Sequence, residues 1–137
     1  MLLNYKFHIF TAISILFSAL GLSNIVRAAD FTINSAQTTE NGGNTLDGTD
    51  MITVTTTGSI SITSGSGIET SGDYNTVIVN GSISTTGRNR HGIVNNDNNN
   101  ATTLTGSVTT SGAGSFGITN QGDNNISTII GDISTTA

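Results

Sequence analysis

A repeat of roughly 25 residues constrains the fold of this chain more than any other feature of its sequence. Two full copies of equal length follow one another, GSISTTGRNRHGIVNNDNNNATTLT from Gly81 and GSVTTSGAGSFGITNQGDNNISTII from Gly106. A copy that is two residues shorter begins at Gly58, and an incomplete copy, GDISTTA, begins at Gly131. Self-similarity at a period of roughly 20–50 residues is typical of stacked-repeat proteins, whose units bury their apolar faces against one another.

The copies align on an internal Gly-Ile pair, which occurs at residues 67–68, 92–93 and 117–118. The part from this pair to the end of the unit has the same length in every copy, whereas the segment before the pair is two residues shorter in the first copy. Insertions confined to one place in a repeat indicate a loop. We therefore expect a variable loop before the Gly-Ile pair in every unit.

Apolar residues alternate with polar ones around the glycine that opens each unit. Around Gly81, for example, the residues Val79, Gly81, Ile83 and Thr85 share one face. A period of two predicts β-structure with one face buried, and the β-branched residues suit a pleated, half-buried surface. The isoleucine of the Gly-Ile pair predicts a second, shorter strand. The glycine in the inward-facing set predicts that the coil bends or packs tightly there, so we expect Gly106→Val to destabilise more than Gly114→Val.

Asn, Asp and Gly cluster between the predicted strands, at residues 71–75, 96–100 and 121–125. These residue types favour turns. In a stack, equivalent strands pair in parallel about 4.8 Å apart, with isoleucine over isoleucine inside and asparagine over asparagine in hydrogen-bonded ladders at the corners. The sequence therefore predicts an all-β fold, a parallel β-helix, without helical periodicity after residue 28.

The N-terminus has the pattern of a secretory signal peptide at residues 1–28. Lys6 precedes an apolar stretch at residues 7–22, and Val26-Arg27-Ala28 predicts cleavage between Ala28 and Ala29. An uncleaved membrane anchor is the alternative, but the stretch is shorter than the roughly 20 apolar residues of a spanning helix.

The remaining residues divide into an N-terminal segment, 29–57, and the β-helix repeats, 58–137. The N-terminal segment is expected to hold a degenerate coil and a cap, with Asp50 equivalent to Asp73 and Val54 equivalent to Val77. The repeats occupy residues 58–80, 81–105, 106–130 and 131–137. The last one is incomplete, which predicts a fragment of a longer protein.

Charge and composition exclude several classes of partner. Residues 29–137 contain two arginines, no lysine and nine carboxylates, a net charge of −7. Such a surface repels nucleic acid and anionic membranes. The chain has no cysteine, so stability must come from the stack. Intrinsic disorder is the alternative for so polar a composition, but the fixed spacing of Ile, Val and Leu favours a folded chain.

The export signal, the cysteine-free Thr/Ser/Asn/Gly-rich body, the long repeat and the G-S-I-S-T-T…G-I pattern together resemble the passenger region of autotransporters (type V secretion). The resemblance implies a right-handed parallel β-helix at the cell surface, in the outer membrane or outside the cell, and an adhesin-like, structural or virulence role. It also implies an outer-membrane β-barrel translocator, which is absent from these residues. A host or neighbouring-cell surface protein or glycan is the expected partner. The alternatives are an inert spacer and a carbohydrate-active β-helix enzyme whose active site lies outside this fragment.

No catalytic constellation or cofactor motif is predicted, so we expect no enzyme activity. Asp73 and Asp123 occupy the same repeat position two coils apart, about 9–10 Å along the stack, which is a spacing that glycosidases use. Recurrence of the position, filled by Asn98 in the intervening coil, favours a turn requirement. Gly42-Gly43 and the oxygen-rich segment 96–100 indicate calcium only weakly.

One loop differs from its equivalents in the other copies. Arg88-Asn89-Arg90-His91 replaces the small residues found there in the other copies and holds both arginines of residues 29–137. Arg88, Arg90 and His91 are therefore candidate ligand-binding residues for an anionic glycan or a partner protein. The alternative is a solvated loop that offsets excess negative charge.

Overall fold

The computed structural model describes residues 28–137, so the predicted signal peptide at residues 1–28 lies almost wholly outside the described residues. The described part of the chain forms thirteen short β-strands in three parallel sheets. Sheet A contains β1 (Asp30–Ile33), β3 (Met51–Val54), β6 (Thr76–Val79), β9 (Ala101–Leu104) and β12 (Ile126–Ile129). Sheet B contains β2 (Ala36–Gln37), β4 (Ser59–Ile62), β7 (Ser82–Thr86), β10 (Ser107–Ser111) and β13 (Asp132–Thr136). Sheet C contains β5 (Ile68–Thr70), β8 (Ile93–Asn95) and β11 (Ile118–Asn120).

Each full coil visits the three sheets in the order A, B, C. For example, the chain passes from β6 to β7 and β8 before it returns to sheet A at β9. Equivalent strands of successive coils pair in parallel throughout. The molecule is therefore a three-sided β-solenoid of about 4 turns, which confirms the predicted all-β fold of stacked parallel coils.

The register confirms the repeat lengths. Ser82 pairs with Ser107, one full-length unit further along the chain, whereas Ser59 pairs with Ser82, one shorter unit further along. The shortening lies between sheet B and sheet C. Five residues separate β4 from β5, whereas six separate β7 from β8, and β7 is one residue longer than β4. The variable loop is where the sequence predicts it.

The register of the first coil differs from the expected one. Val54 pairs with Val79, two residues beyond the expected partner. The backbone N–H of Asp50 donates to Asn75 Oδ1, so Asp50 lies beside Asn75 and the expected match with Asp73 is wrong. The reason is the corner between β3 and β4, which has four residues where the corner between β6 and β7 has two.

Columns of aliphatic side chains fill the interior. Ile60, Ile83 and Val108 follow one another across sheet B, and Val79 and Leu104 do so across sheet A. All five side chains are buried. Burial of a side chain of this size contributes about 1.5–3 kcal/mol. The stacked columns therefore supply the stability that a chain without cysteine cannot draw from disulfides.

The period-two alternation spans two strands, β6 and β7, which meet at a corner formed by Asn80 and Gly81. Both N–H groups of the corner donate to the carbonyl oxygen of Val54, at 2.8 and 3.2 Å. A Cβ at Gly81 would overlap the carbonyl oxygens of Thr55 and Gly58 in the corner of the preceding coil. The backbones therefore stack too closely for a side chain, as the inward phase of the glycine predicts.

A ladder of side-chain oxygens runs along the corner between sheets C and A. The backbone N–H of Asp50 donates to Asn75 Oδ1 at 3.0 Å. The N–H of Asn75 donates to Asn100 Oδ1, and that of Asn100 to Asn125 Oδ1, each at 2.7 Å. Asn75 and Asn100 are buried, so their amides satisfy N–H groups that water cannot reach. The ladder confirms the predicted stacking of asparagine on asparagine.

At the N-terminal end of the described residues, a short 3₁₀ turn at Glu40–Gly43 occupies the side of sheet C. The N–H of Asn41 donates to the carbonyl oxygen of Gly67 at 3.0 Å. The Asn41 side chain then exchanges two hydrogen bonds with the Glu69 backbone, at 2.9 and 2.8 Å. The Asn41 amide thus pairs with the edge of β5 as a further strand would.

Candidate functional site

The variable loop (residues 87–91) connects sheet B to sheet C in the middle of the stack. The N–H of Gly87 donates to Ser111 O at 2.8 Å, and the N–H of Asn89 donates to Ala113 O at 3.0 Å. These bonds continue the parallel ladder beyond β7. Asn89 adopts a left-handed φ of 54°, a conformation that asparagine tolerates better than most residues. The loop is therefore anchored on the equivalent loop of the next coil.

The backbone of Arg90 is held by hydroxyl groups on two sides. Its N–H donates to Ser115 Oγ at 3.0 Å, and Ser115 Oγ in turn donates to Gly87 O at 3.0 Å. Thr85 Oγ1 donates to the Arg90 carbonyl oxygen at 3.2 Å. Arg88 is exposed and Arg90 is half-buried. Two guanidinium groups thus start from an ordered backbone, which lowers the ordering entropy lost when a ligand binds.

His91 stacks on Phe116, a residue that no sequence motif marks. The ring centroids are 5.4 Å apart and the ring planes are inclined by 11°. The N–H of Phe116 donates to His91 Nδ1 at 3.1 Å. Phe116 follows His91 by one full repeat, so the period itself is the signal that places the two residues in adjacent coils.

The loop and Phe116 together form a surface with a distinct chemistry. Arg88 and Arg90 are the two basic residues of residues 29–137, which carry nine carboxylates elsewhere. Phe116 is 58% exposed. Guanidinium groups donate bidentate hydrogen bonds to carboxylate, sulfate or phosphate groups, and an exposed ring offers a flat apolar contact. This surface suits a ligand with an anionic group beside an apolar face. Arg88, Arg90 and His91 all lie in this loop, and the side chain of His91 contacts Phe116.

The pair Asp73 and Asp123 forms part of a second ladder on the corner between sheets C and A. The N–H of Asn98 donates to Asp73 Oδ1 at 2.8 Å, and the N–H of Asp123 donates to Asn98 Oδ1 at 2.9 Å. These bonds join one corner position across three successive coils, which gives the recurring Asp and Asn side chains a role in stacking the coils. Residues 28–137 contain no group of three or more His, Cys, Asp or Glu side chains that could hold a metal ion.

No protein-family model, curated protein or solved structure matches this chain. Among the helices of the described residues, none has the length and apolar character needed to cross a membrane.

Proposed function

We propose that this protein is an exported surface protein of the autotransporter passenger type, with an adhesive role outside the inner membrane. Three features support the proposal: the N-terminal pattern of a signal peptide, a repeat whose composition and spacing resemble those of such passengers, and a β-solenoid of stacked coils of about 25 residues. A solenoid of this kind is extended, and its repeats present long lateral surfaces to other molecules.

The observation that carries the adhesive role is the variable loop with Phe116. The corner and strand positions repeat from coil to coil, whereas this loop departs from the repeat and holds both arginines together with His91, whose ring stacks on the exposed Phe116. The expected partner is a protein or glycan of a host or neighbouring cell, with carboxylate or sulfate groups. The acidic remainder of the molecule disfavours nucleic acid, since phosphate backbones are repelled.

The test uses the full chain, produced in a Gram-negative expression strain and recovered from outside the inner membrane. Binding is measured to arrays of sialylated, sulfated and neutral glycans and to host cells. We expect binding to the anionic glycans or to cell surfaces, and the double variant Arg88→Ala/Arg90→Ala should weaken this binding at least about tenfold. A loss of that size corresponds to one charge-assisted hydrogen bond.

The matched control is Thr63→Ala/Ser64→Ala, which changes two exposed residues in the equivalent loop of the preceding coil. The control should bind as the unmodified chain does. Equal binding by the arginine double variant would contradict the role of the loop. Retention of the chain in the cytoplasm of the expression strain would contradict export, and with it the proposal of a passenger.

A further inference from the structure

The last coil of the described solenoid forms an open end of the stack. Its strands β11, β12 and β13 are the outermost members of sheets C, A and B, and each pairs on one side only. Ile129 and Ile133 occupy inward positions, and their equivalents one coil earlier, Leu104 and Val108, are fully buried. Ile129 is 50% exposed and Ile133 is 38% exposed. The open end thus combines aliphatic side chains with strand edges, which are templates for pairing with another chain.

The interior of the stack shows what covers such an end. Each earlier coil is covered by the coil that follows it, and the two pair in parallel along all three sheets. The opening glycine of the following coil lies against the coil that it covers, since a Cβ at Gly131 would overlap the carbonyl oxygen of Gly106. The open end continues this interface. A further coil therefore needs glycine at the position that faces the carbonyl oxygen of Gly131.

Polar groups of the open end continue the two ladders of the corner between sheets C and A. The N–H of Asn100 donates to Asn125 Oδ1 at 2.7 Å, and the N–H of Asp123 donates to Asn98 Oδ1 at 2.9 Å. One repeat further, the N–H of Asn125 is the next donor and the carboxylate of Asp123 is the next acceptor. The corner of the repeat, an Asp or Asn two residues before an Asn, supplies both complementary groups. It occurs at residues 73–75, 98–100 and 123–125.

The first described coil departs from the repeat at the position of the opening glycine. The N–H of Ser59 donates to Ser35 O, as the N–H of Ser82 donates to Gly58 O, each at 3.3 Å. Ser35 therefore stands where the later coils carry glycine. A Cβ at each later opening glycine would point toward the preceding coil. The side chain of Ser35 consequently projects from this end of the stack.

Gln37 is a second departure in the first coil. It pairs with Ile60, so it holds a position that is aliphatic in every later described coil, and its side-chain amide donates to Ser35 Oγ at 3.3 Å. A head-to-tail contact between two copies would place Ser35 against the carbonyl oxygen of Gly131 and Gln37 against Ile133. The first coil of a second copy therefore does not fit the open end.

We propose that the open end binds a second polypeptide that carries the same repeat, which adds as a further parallel coil. The partner has glycine at the opening position, aliphatic residues over Ile129 and Ile133, and the Asp/Asn corner of the repeat. Strand addition of this kind takes its affinity from main-chain hydrogen bonds and its specificity from alternate side chains. The interaction does not use the variable loop, so it is independent of the anionic ligand proposed there.

The experiment uses the full chain and a fluorescein-labelled synthetic peptide with the sequence of residues 112–136, the segment that forms β11, β12 and β13. A trace amount of peptide is titrated with the full chain, and fluorescence anisotropy measures binding. We expect saturable binding by the repeat peptide and none by a peptide of the same composition in scrambled order. Absence of binding by the repeat peptide, or equal binding by the scrambled one, would overturn the proposal.

A variant peptide tests the parallel register. Gly131→Ser/Ile133→Gln gives the peptide the residue types that the first coil carries at these positions. It should weaken binding at least about tenfold, because the serine Cβ overlaps paired backbone that cannot move aside. The matched control is Ser134→Ala in the same peptide, on the outward side of β13, which should bind normally. Unchanged binding by the double variant would overturn the proposed stacking.

Variants of the full chain locate the surface. Ile129→Asn/Ile133→Asn should weaken peptide binding at least about tenfold. The control Ile126→Asn/Ile130→Asn changes two isoleucines of the same coil whose equivalents one coil earlier are exposed, and it should bind normally. Circular dichroism confirms that both variants are folded. Equal binding by the two variants would overturn the assignment to the open end. A dimer of the full chain in sedimentation velocity that Ile129→Asn/Ile133→Asn dissociates would assign this end to a second copy instead.

Discussion

The glycine that opens each unit is fixed by the distance between stacked backbones. A Cβ at Gly106 would overlap the carbonyl oxygen of Gly81, and a Cβ at Gly131 would overlap that of Gly106. Gly106 itself has no left-handed φ, so its role is close approach rather than conformational freedom. The obstructing atoms belong to backbone that is already paired on both sides, so they cannot move without opening the stack.

We expect Gly106→Ala to destabilise the chain by more than about 3 kcal/mol, since overpacking a rigid site typically costs about 1–3 kcal/mol and here the contact is with backbone. Gly114→Ala is the control. Its Cβ would meet only the Asn89 side chain, which can rotate away, and its φ of 76° adds about 1–2 kcal/mol. Urea unfolding followed by far-UV circular dichroism measures both. Similar losses for the two variants would refute the close-approach argument. Alanine separates the effects at the two sites more clearly than valine would, because a β-branched residue adds further strain at Gly114.

At the scale of the element, the corner between sheets C and A contains two ladders with different exposure. The Asn75–Asn100 ladder is buried, and each amide oxygen accepts the backbone N–H of the preceding coil. The ladder through Asn98 runs in the opposite sense and is exposed. Water can replace a lost partner only in the exposed ladder, so equal-looking hydrogen bonds contribute unequally to stability.

Asn100→Ala should therefore lower the free energy of unfolding by about 1–3 kcal/mol, because it leaves the N–H of Asn75 buried without an acceptor. Asn98→Ala removes one accepted hydrogen bond in the same corner, from the N–H of Asp123, and should cost less than about 1 kcal/mol. Chemical denaturation compares the two variants. A larger loss of unfolding free energy for Asn98→Ala would show that burial does not determine which ladder contributes more to stability.

The coil could be predicted because its inward residues and its length recur in the sequence. The division into three sheets could not, since Asn80 and Gly81 keep the period of two through the bend between β6 and β7. The pairing of Asp50 could not be predicted either. The corner between β3 and β4 has two extra residues and the following segment from sheet B to sheet C has two fewer, so the length of the coil does not reveal the shift. Arg88, Arg90 and His91 were identifiable as exceptions to the repeat. Phe116 was marked by no motif, and only the repeat period places it beside His91.

At the scale of the whole molecule, the two ends of the described solenoid differ. The 3₁₀ turn and Asn41 cover the edge of β5 at the first coil. The outermost strands at the other end, β11, β12 and β13, pair on one side only. Four isoleucines of the last coil are exposed: Ile126, Ile129, Ile130 and Ile133. In a stack held by nearest-neighbour contacts, a residue of this last described coil contacts one neighbouring coil and not two.

The same substitution should therefore have different effects at equivalent positions of adjacent coils. Leu104 pairs with Val79 on one side and Ile129 on the other and is fully buried, whereas Ile129 is 50% exposed. We expect Leu104→Ala to lower the free energy of unfolding by about 2–5 kcal/mol and Ile129→Ala by about 1 kcal/mol, since half of the side chain already contacts water. The urea midpoint measures both, with an unchanged m-value as the control that the same surface unfolds. Equal losses would mean that the last coil is as well covered as the middle one, which would assign its exposed isoleucines to a contact with another molecule.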